Sequence, residues 1–318
     1  MMSMRNAEKK KFFAKVLLFG EYSVIFDGEA ITIPLKQFSG YLDFPAHKAV
    51  SDISGKESNQ KIRDLFIYLS SPEISSRFHY QINFDSLNDD LDRGMFFKSN
   101  IPRGYGAGSS GAIVAALFDQ YSIENPIISE STNPKTYGLV REQLALMESY
   151  FHGSSSGLDP LSSLLGKPFK LDAQKRISFP DLPLFSGPVK RDVFLIDTGM
   201  EGDTHPLVNW FKEQIAKKAF DAELLKGLNN QVVQALLHKN ELFFDGFLAQ
   251  LSLFQLENMK PMIPESIRPL WQQGVNSGEW TLKLCGSGGG GFMLGFAENY
   301  HDVKSVFEVA GFKTVLPS

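Results

Sequence analysis

Cysteine is nearly absent from this sequence, because Cys285 is the only one among 318 residues. A single thiol excludes an internal disulfide, and a zinc site built on cysteines needs more thiols than this. Positive charge is not in excess either: 36 acidic residues face 32 basic ones, which gives a formal net charge of −4. The chain therefore lacks the basic field that a nucleic-acid-binding protein usually carries.

Long apolar runs are also missing. No stretch approaches the roughly 20 apolar residues that a membrane-spanning helix needs. We therefore expect a cytoplasmic protein with no membrane and no nucleic acid among its partners. What the chain does have is 43% hydrophobic residues, including 27 Phe, which is enough for a sizeable core. Its length suggests roughly two domains.

Apolar periodicity and turn residues predict an α+β chain, in which strands open each half and helices follow. The predicted strands are residues 12–19, 22–26, 30–35, 37–43, 78–84, 191–197, 280–285 and 291–296, with a short strand at the end. The predicted helices are a short one near 60–70, one from 112, 135–151, one opened by Asp159–Pro160, several across 204–275, and one near 301–309. Prolines at 168, 180, 183 and 188 mark irregular chain, so we place a domain boundary between residues 187 and 188.

A glycine-rich segment, residues 101–111 (IPRGYGAGSSG), runs directly into an apolar helix. Glycines let the backbone approach a ligand closely. The helix start offers unpaired N–H groups and a partial positive charge, which favour phosphate. Ser109 and Ser110 add hydroxyls that can bond a phosphate oxygen or a magnesium ion.

Other interpretations of this segment exist. Gly106, Gly108 and Gly111 fit the dinucleotide pattern G-x-G-x-x-G, and Glu130 lies where a ribose-binding acid is expected. The P-loop pattern does not fit, because no lysine follows these glycines. Taken alone, the segment leaves phosphate binding and a plain tight turn before a helix about equally open.

A second glycine segment, residues 285–291 (CGSGGGG), lies between two apolar strands. Flexible linkers are usually flanked by polar chain, whereas TLKL precedes this segment and FMLGF follows it. The pattern therefore favours a close approach of the backbone to another group over a flexible hairpin.

Two carboxylates and one lysine are candidates for chemistry. A Gly/Ser turn between Glu148 and Asp159 can bring both acids to one site, as a kinase acting on an alcohol requires. Taken singly, Asp159 also fits a helix cap and Glu148 a solvated helix face. Lys15 lies in an apolar strand, where it either turns to solvent or pairs with a carboxylate or phosphate.

Three segments in order resemble the GHMP kinase superfamily, and mevalonate kinases in particular: 14–25 (AKVLLFGEYSVI), 101–110 (IPRGYGAGSS) and 283–291 (KLCGSGGGG). A fourth segment, Glu148 to Asp159, is similar to the family's E-x-x-x-H-G-x-P-S-G-x-D. The resemblance spans most of the chain. It implies a two-domain GHMP kinase fold, with a ribosomal protein S5 domain 2-like N-terminal domain and a ferredoxin-like C-terminal domain.

The resemblance also implies ATP and Mg²⁺ as cofactors, a small alcohol such as mevalonate as substrate, and a monomer or homodimer. Asp159 and Lys15 would be catalytic, and Ser110 and Glu148 would bind the metal. The triphosphate would lie on Gly104, Gly106, Ala107, Gly108, Ser109 and Ser110. The acceptor would lie near Glu21, Tyr22, His152, Ser156 and Thr204.

Four positions depart from the family pattern. Tyr22 stands where the family usually has His, Ser155 replaces a proline, Cys285 replaces Thr, and Gly202 stands where Arg is often found. An arginine suits a carboxylate, so the last change bears on the acceptor. Phosphomevalonate or another small alcohol remains an alternative acceptor, and a nucleotide-binding regulator without catalysis is an alternative from another class.

Overall fold

The computed structural model describes residues 9–45, 53–124, 126, 133–182, 189 and 191–317. Its strands are β1 (Phe12–Phe19), β2 (Ala30–Asp43), β3 (Phe96–Ser99), β4 (Phe169–Leu171), β5 (Ile177–Ser178), β6 (Asp192–Asp197), β7 (Trp280–Leu284), β8 (Phe292–Ala297) and β9 (Lys313–Val315). Its helices are α1 (Ile53–Ser70), α2 (Pro72–Ser75), α3 (Phe84–Asp92), α4 (Ser109–Tyr121), α5 (Pro134–His152), α6 (Leu158–Leu165), α7 (Thr204–Ala216), α8 (Ala222–Leu237), α9 (Glu241–Asn258), α10 (Arg268–Ser277) and α11 (Tyr300–Val309). Among the described residues, no helix combines the length and apolar character needed to span a bilayer.

The strands form two sheets. The first has the order β1-β2-β4-β5, and β3 pairs with the far end of β2, where Gly40 lies opposite Ser99. The second has the order β7-β8-β6-β9, and its pairs are antiparallel. Separate sheets with helices between them in sequence confirm the predicted α+β class.

Contacts divide the chain into two units. Unit 1 takes its described residues from Met1–Lys15, Pro34–Ile101 and Gly108–Lys167. Unit 2 takes them from Val16–Ile33, Pro102–Ala107 and Pro168–Ser318. The predicted boundary between residues 187 and 188 lies outside the described residues and stays a prediction.

Unit 1 is built around α4, whose sequence is apolar on almost every side. A helix of that composition must be buried, and its residues from Gly111 to Phe118 are buried except Ile113. Small residues on α4 let α6 approach closely: a methyl group built on Gly111 would lie 2.7 Å from the backbone nitrogen of Pro160. This close crossing brings the start of α4 next to the start of α6.

Unit 2 contains the second sheet and the paired helices α8 and α9. Strands β6 and β8 are almost entirely buried, as their continuous apolar runs predict. Phe194 packs edge-on against Phe307 of α11, and Trp280 of β7 packs against the same ring. This core supports the end of β7, from which the second glycine segment departs.

Two predicted strands are wrong. Residues 22–26 include a 3₁₀ turn, Ser23–Phe26, flanked by positive φ angles of 60° at Tyr22 and 63° at Asp27. Residues 78–84 form only an isolated bridge at Ile82 before α3 begins. Gln143 of α5 explains the second error, because its side chain bonds both the N–H and the C=O of Tyr80, at 2.7 and 2.8 Å, in place of a neighbouring strand.

The predicted strands 30–35 and 37–43 are one continuous strand, β2. The predicted short helix near 60–70 begins earlier, at Ile53. Strands β3, β4 and β5 and helices α2 and α3 had no counterpart in the prediction, since each is short.

Candidate active site

The start of α4 has the features of an anion-binding helix N-terminus. Gly104, Gly106 and Gly108 all have positive φ, at 71°, 67° and 76°, and Gly108 is the N-cap residue of the helix. Among the described residues, no side chain caps this end. Because the first N–H groups of a helix have no partner within the helix, they remain available to phosphate oxygens.

Asp159 lies beside this helix start in unit 1. A methyl group built on Gly108 would lie 3.4 Å from Asp159 Oδ2 and 3.3 Å from Lys15 Cγ. Gly108, the N-cap residue of α4, and the carboxylate of Asp159 therefore lie next to each other within unit 1.

Lys15 pairs with Asp159, which is one of the two placements that the sequence left open for a lysine in an apolar strand. Its Nζ lies 2.9 Å from Asp159 Oδ1, and its side chain is 4% exposed, against 33% for Asp159. The carboxylate offsets the desolvation of the buried ammonium group. The other oxygen of Asp159, Oδ2, has no ion-pair partner among the described residues and faces the Gly108 side.

Glu148, on α5, is the second carboxylate near the start of α4, and only 3% of its surface is exposed. Ser110 Oγ donates to Glu148 Oε1 at 3.0 Å, and Ser155 Oγ donates to Oε2. Burial, followed by repulsion from Asp159, raises the pKa of Glu148 to about 7, against the lowering effects of Ser155, Ser110 and Lys15. A cation bound at this carboxylate would stabilise its ionised form.

His152 lies 3.1 Å from the Ser110 hydroxyl through Nε2, so it adjoins the same cluster. Partial burial lowers the pKa of its imidazole, while Asp159 acts in the opposite direction. His152 therefore tends towards the neutral form and is a hydrogen-bonding neighbour of Ser110.

The donors around Glu148 suit magnesium. In the described part of the chain, no group of three or more His, Cys, Asp or Glu side chains could hold a metal ion. Mg²⁺ does not need such a group, because it is usually bound by one or two carboxylates together with waters and substrate phosphates. The buried carboxylate of Glu148, with the Ser110 hydroxyl against it, fits that mode of binding.

Glu21 and Tyr22 lie in unit 2, against the second glycine segment. Glu21 Oε1 pairs with Lys283 Nζ at 2.6 Å, and the two side chains are 1% and 0% exposed. Lys283 also donates to the carbonyl of Leu284, and Tyr22 Oη donates to the carbonyl of Ser287 at 2.7 Å. Burial, followed by the charge of Glu21, raises the pKa of Tyr22.

Sequence reasoning gave Lys283 no role of its own. The available signal was the one used for Lys15: a lysine inside an apolar strand, here WTLKL. Such a residue needs a buried partner. Identifying Glu21 as that partner required the structure, since the two residues lie 262 positions apart.

The second glycine segment, residues 285–291, packs closely against the backbone of residues 105–106. A methyl group on Gly291 would lie 2.4 Å from Tyr105 Cα, and one on Gly106 would lie 2.9 Å from the carbonyl oxygen of Cys285. The predicted close backbone approach is therefore present within unit 2, where the segment packs on residues 104–106.

Gly202 belongs to the same packing. Its N–H donates to the carbonyl of Gly104 at 2.8 Å, and a methyl group on it would lie 2.7 Å from the carbonyl oxygen of Gly288. There is no room for a side chain at this position. The absence of the family's arginine thus has a steric reason.

Two further predicted acceptor residues have known positions. Ser156 lies in the turn between α5 and α6, where its carbonyl accepts from Arg141 Nη1 at 2.9 Å. Thr204 is the first residue of α7, and Asp203 caps that helix. Their contact with an acceptor stays a prediction. Glu130, the ribose-binding candidate, lies outside the described residues.

No protein-family model matches the chain. Its sequence is 26% identical to the mevalonate kinase of Pyrococcus abyssi, over 94% of this chain and 91% of that protein. The L. major mevalonate kinase, solved in complex with R-mevalonate, has a TM-score of 0.62 and 18% identity, over 98% of this chain and 97% of that one. Streptococcus pneumoniae phosphomevalonate kinase has a TM-score of 0.62 and 13% identity, over 97% and 98%.

The fold is that of the GHMP kinases, as the sequence resemblance implied. The relatives that match in sequence over nearly the whole chain are mevalonate kinases, at 26% and 25% identity for those of Pyrococcus abyssi and Pyrococcus horikoshii. The predicted resemblance to mevalonate kinase is therefore confirmed.

Proposed function

We propose that this protein is an ATP-dependent kinase that transfers the γ-phosphoryl group to the hydroxyl of mevalonate and forms 5-phosphomevalonate. The observation that carries the proposal is the Lys15–Asp159 pair at 2.9 Å beside the uncapped start of α4. This arrangement combines a phosphate-binding helix start with a carboxylate that can take a proton from an alcohol.

The phosphate side of the reaction falls to α4 and the glycine turn. The backbone N–H groups at Ser109 and Ser110 bind the phosphate oxygens, and residues 104–108 form the rest of the cradle. Ser110 and Glu148 would hold Mg²⁺, which would supply charge stabilisation to the phosphates when bound. These groups hold the triphosphate in place while charge develops in the transition state.

The acceptor side falls to Asp159 and Lys15. The acceptor hydroxyl oxygen forms a bond to the γ-phosphorus, the bond from that phosphorus to the β–γ bridging oxygen breaks, and ADP leaves. Asp159 Oδ2 takes the hydroxyl proton, because Oδ1 is held by Lys15. The Lys15 ammonium group fixes the carboxylate through Oδ1 and favours the developing alkoxide.

The names of the sequence relatives support mevalonate as the acceptor. The structural likeness does not distinguish acceptors, because the mevalonate kinase and the phosphomevalonate kinase above have the same TM-score of 0.62. Without an arginine at Gly202, we assign the acceptor carboxylate to the neighbourhood of Thr204. Glu21, Tyr22, His152 and Ser156 complete the proposed acceptor side.

An ADP-release assay with Mg-ATP tests the proposal directly. Mevalonate, phosphomevalonate and galactose are offered in parallel, and the product is identified by mass. We expect turnover with mevalonate and at most trace turnover with the other two. Preference for phosphomevalonate would move the acceptor assignment, and ATP binding without ADP release from any acceptor would identify a nucleotide-binding regulator instead.

A further inference from the structure

Ser155 has an unusual position in unit 1. It lies in the turn between α5 and α6, and its hydroxyl has two partners. It donates to Glu148 Oε2 and accepts from the Gly157 N–H at 2.9 Å. Gly157 is the N-cap residue of α6, the helix that carries Asp159. One hydroxyl therefore connects the proposed metal ligand to the start of the catalytic helix.

The direction of these bonds is determined by chemistry. A backbone N–H can only donate, so the Gly157 bond uses a lone pair of the Ser155 oxygen. The single hydroxyl hydrogen is then available to the carboxylate. Ser110 donates to the other carboxylate oxygen, Oε1, at 3.0 Å. Glu148 is thus held at Oε2 from the turn and at Oε1 from α4.

The residue type at position 155 decides whether this clamp exists. The motif that the segment resembles has proline here. A proline fixes φ but carries neither a hydroxyl nor an N–H, so it cannot bond the carboxylate. In this chain a hydrogen-bonding serine takes the place of a rigid ring.

Arg141 holds the same turn from outside. Its Nη1 donates to the carbonyl of Ser156 at 2.9 Å, and its Cγ lies 3.0 Å from where a side chain on Gly157 would begin. The turn is therefore fixed at two independent points. A loss of the Ser155 hydroxyl alone leaves the Arg141 anchor in place, so the turn should keep its path.

We propose that Ser155 is a positioning residue that orients the Glu148 carboxylate for the magnesium ion of the nucleotide. This role rests on the proposed function. Because the Ser155 hydroxyl bonds Oε2, the oxygen that faces the cation is Oε1, which lies on the Ser110 side. Rotation of a carboxylate about its terminal torsion has broad, shallow minima, and a charge-assisted hydrogen bond is strong enough to select one orientation.

The test is the magnesium dependence of ADP binding, measured by calorimetry on the full chain. In Ser155→Ala, we expect the Mg²⁺ concentration for half-maximal enhancement of ADP affinity to rise about 10-fold, the effect of one hydrogen bond to a charged group. ADP affinity without Mg²⁺ should stay within about 2-fold, because the α4 contacts are untouched. Ser155→Thr, which keeps the hydroxyl, should restore most of the magnesium response.

Ser154→Ala is the matched control, since Ser154 lies in the same turn and is exposed. It should behave like the wild type. An unchanged magnesium response in Ser155→Ala overturns the inference, as does an equal loss of ADP affinity with and without Mg²⁺, which indicates a merely structural role. Should the alanine variant fail to fold, Ser155→Thr and Ser155→Val, which differ only in the hydroxyl, decide the question in the same way.

The two proposals fail differently. A wild-type protein that binds no ADP in the presence of Mg²⁺ contradicts the kinase proposal and the role of Ser155 together. A wild type with normal magnesium-dependent binding, matched by Ser155→Ala, contradicts the role of Ser155 alone.

Discussion

At the scale of single residues, Asp159 carries the proposed proton transfer. Asp159→Asn keeps the size of the side chain and a hydrogen-bonding partner for Lys15 but removes the base. We expect turnover to fall by about 10²–10⁴-fold, the usual contribution of general base catalysis. ADP affinity should stay nearly unchanged, because the helix start is intact.

Steady-state kinetics and calorimetry measure these two quantities separately. Asp302→Asn, at the exposed start of α11, is a suitable control for the loss of one negative charge. Near-normal turnover in Asp159→Asn would reject the role assigned to this residue.

Glu148 predicts a pH dependence of stability. Its pKa is raised in the folded protein from about 4.5 to about 7, so between these values the folded state keeps a proton that the unfolded state has lost. The free energy of unfolding therefore decreases as pH rises through this window, by at most about 1.4 kcal/mol per pH unit. Glu148→Gln removes this contribution.

The measurement is urea unfolding of both proteins at pH 5, 6 and 7 without metal or nucleotide. The free energy of unfolding of the wild type, minus that of Glu148→Gln, should fall as pH rises. Parallel curves would show that the carboxylate is already ionised in the folded state at pH 5.

At the scale of secondary-structure elements, the close crossing of α4 and α6 sets the distance from Gly108, at the start of α4, to Asp159. Gly111→Ala would place a methyl group 2.9 Å from Asp159 Cβ. We expect the helices to move apart, with a loss of about 1–3 kcal/mol of stability from overpacking and a loss of turnover.

Gly138→Ala is a matched control for the crossing. Gly138 also lies inside a helix, α5, but apart from the adjoining backbone of that helix no atom of the described residues lies within 4 Å of its added methyl group. It should gain about 0.5–1 kcal/mol from reduced chain entropy. Thermal melting and turnover of both variants give the comparison; equal behaviour would contradict a constraint at the crossing.

The buried pair Lys283–Glu21 connects β7 to the turn after β1 within unit 2. Lys283→Met removes the cationic partner of the buried Glu21 carboxylate, so we expect a loss of about 3–5 kcal/mol. The double variant Lys283→Met with Glu21→Met removes both charges and should recover most of that loss, because buried ion pairs are often replaceable by apolar groups. Urea unfolding measures all three proteins. A double variant no more stable than the single one would argue against an uncompensated charge as the cause.

At the scale of the whole molecule, ligand choice separates a kinase from a dehydrogenase. A non-hydrolysable Mg-ATP analogue at about 100 times its Kd should add about 2.7 kcal/mol to the free energy of unfolding, whereas NAD should add none. The fold supports this expectation: β3, the strand before the glycine turn, pairs antiparallel with β2, while dinucleotide sites require parallel βαβ units. Thermal shifts measured with each ligand provide the check, and stabilisation by NAD alone would contradict the kinase assignment.

The sequence by itself determined the features that contiguous residues encode. Local patterns predicted three of these features: the glycine turn before α4, the amphipathic helix that carries Glu148, and the lysine within the apolar strand β1. The order of the motifs was enough to identify the GHMP kinase resemblance. Short strands such as β4 and β5 were not predicted, because two or three residues are too few to show a periodic pattern.

The tertiary structure alone decided partners and burial. The Gln143 side chain bonds the backbone of Tyr80, where a neighbouring strand was expected. Lys283 pairs with Glu21, which lies 262 positions away in the sequence. The packing around Glu148 raises its pKa to about 7. The physical reason is the same in each case. The energy of a buried polar group depends on which distant residues surround it, and that information lies in the packing of elements rather than in any one stretch of chain.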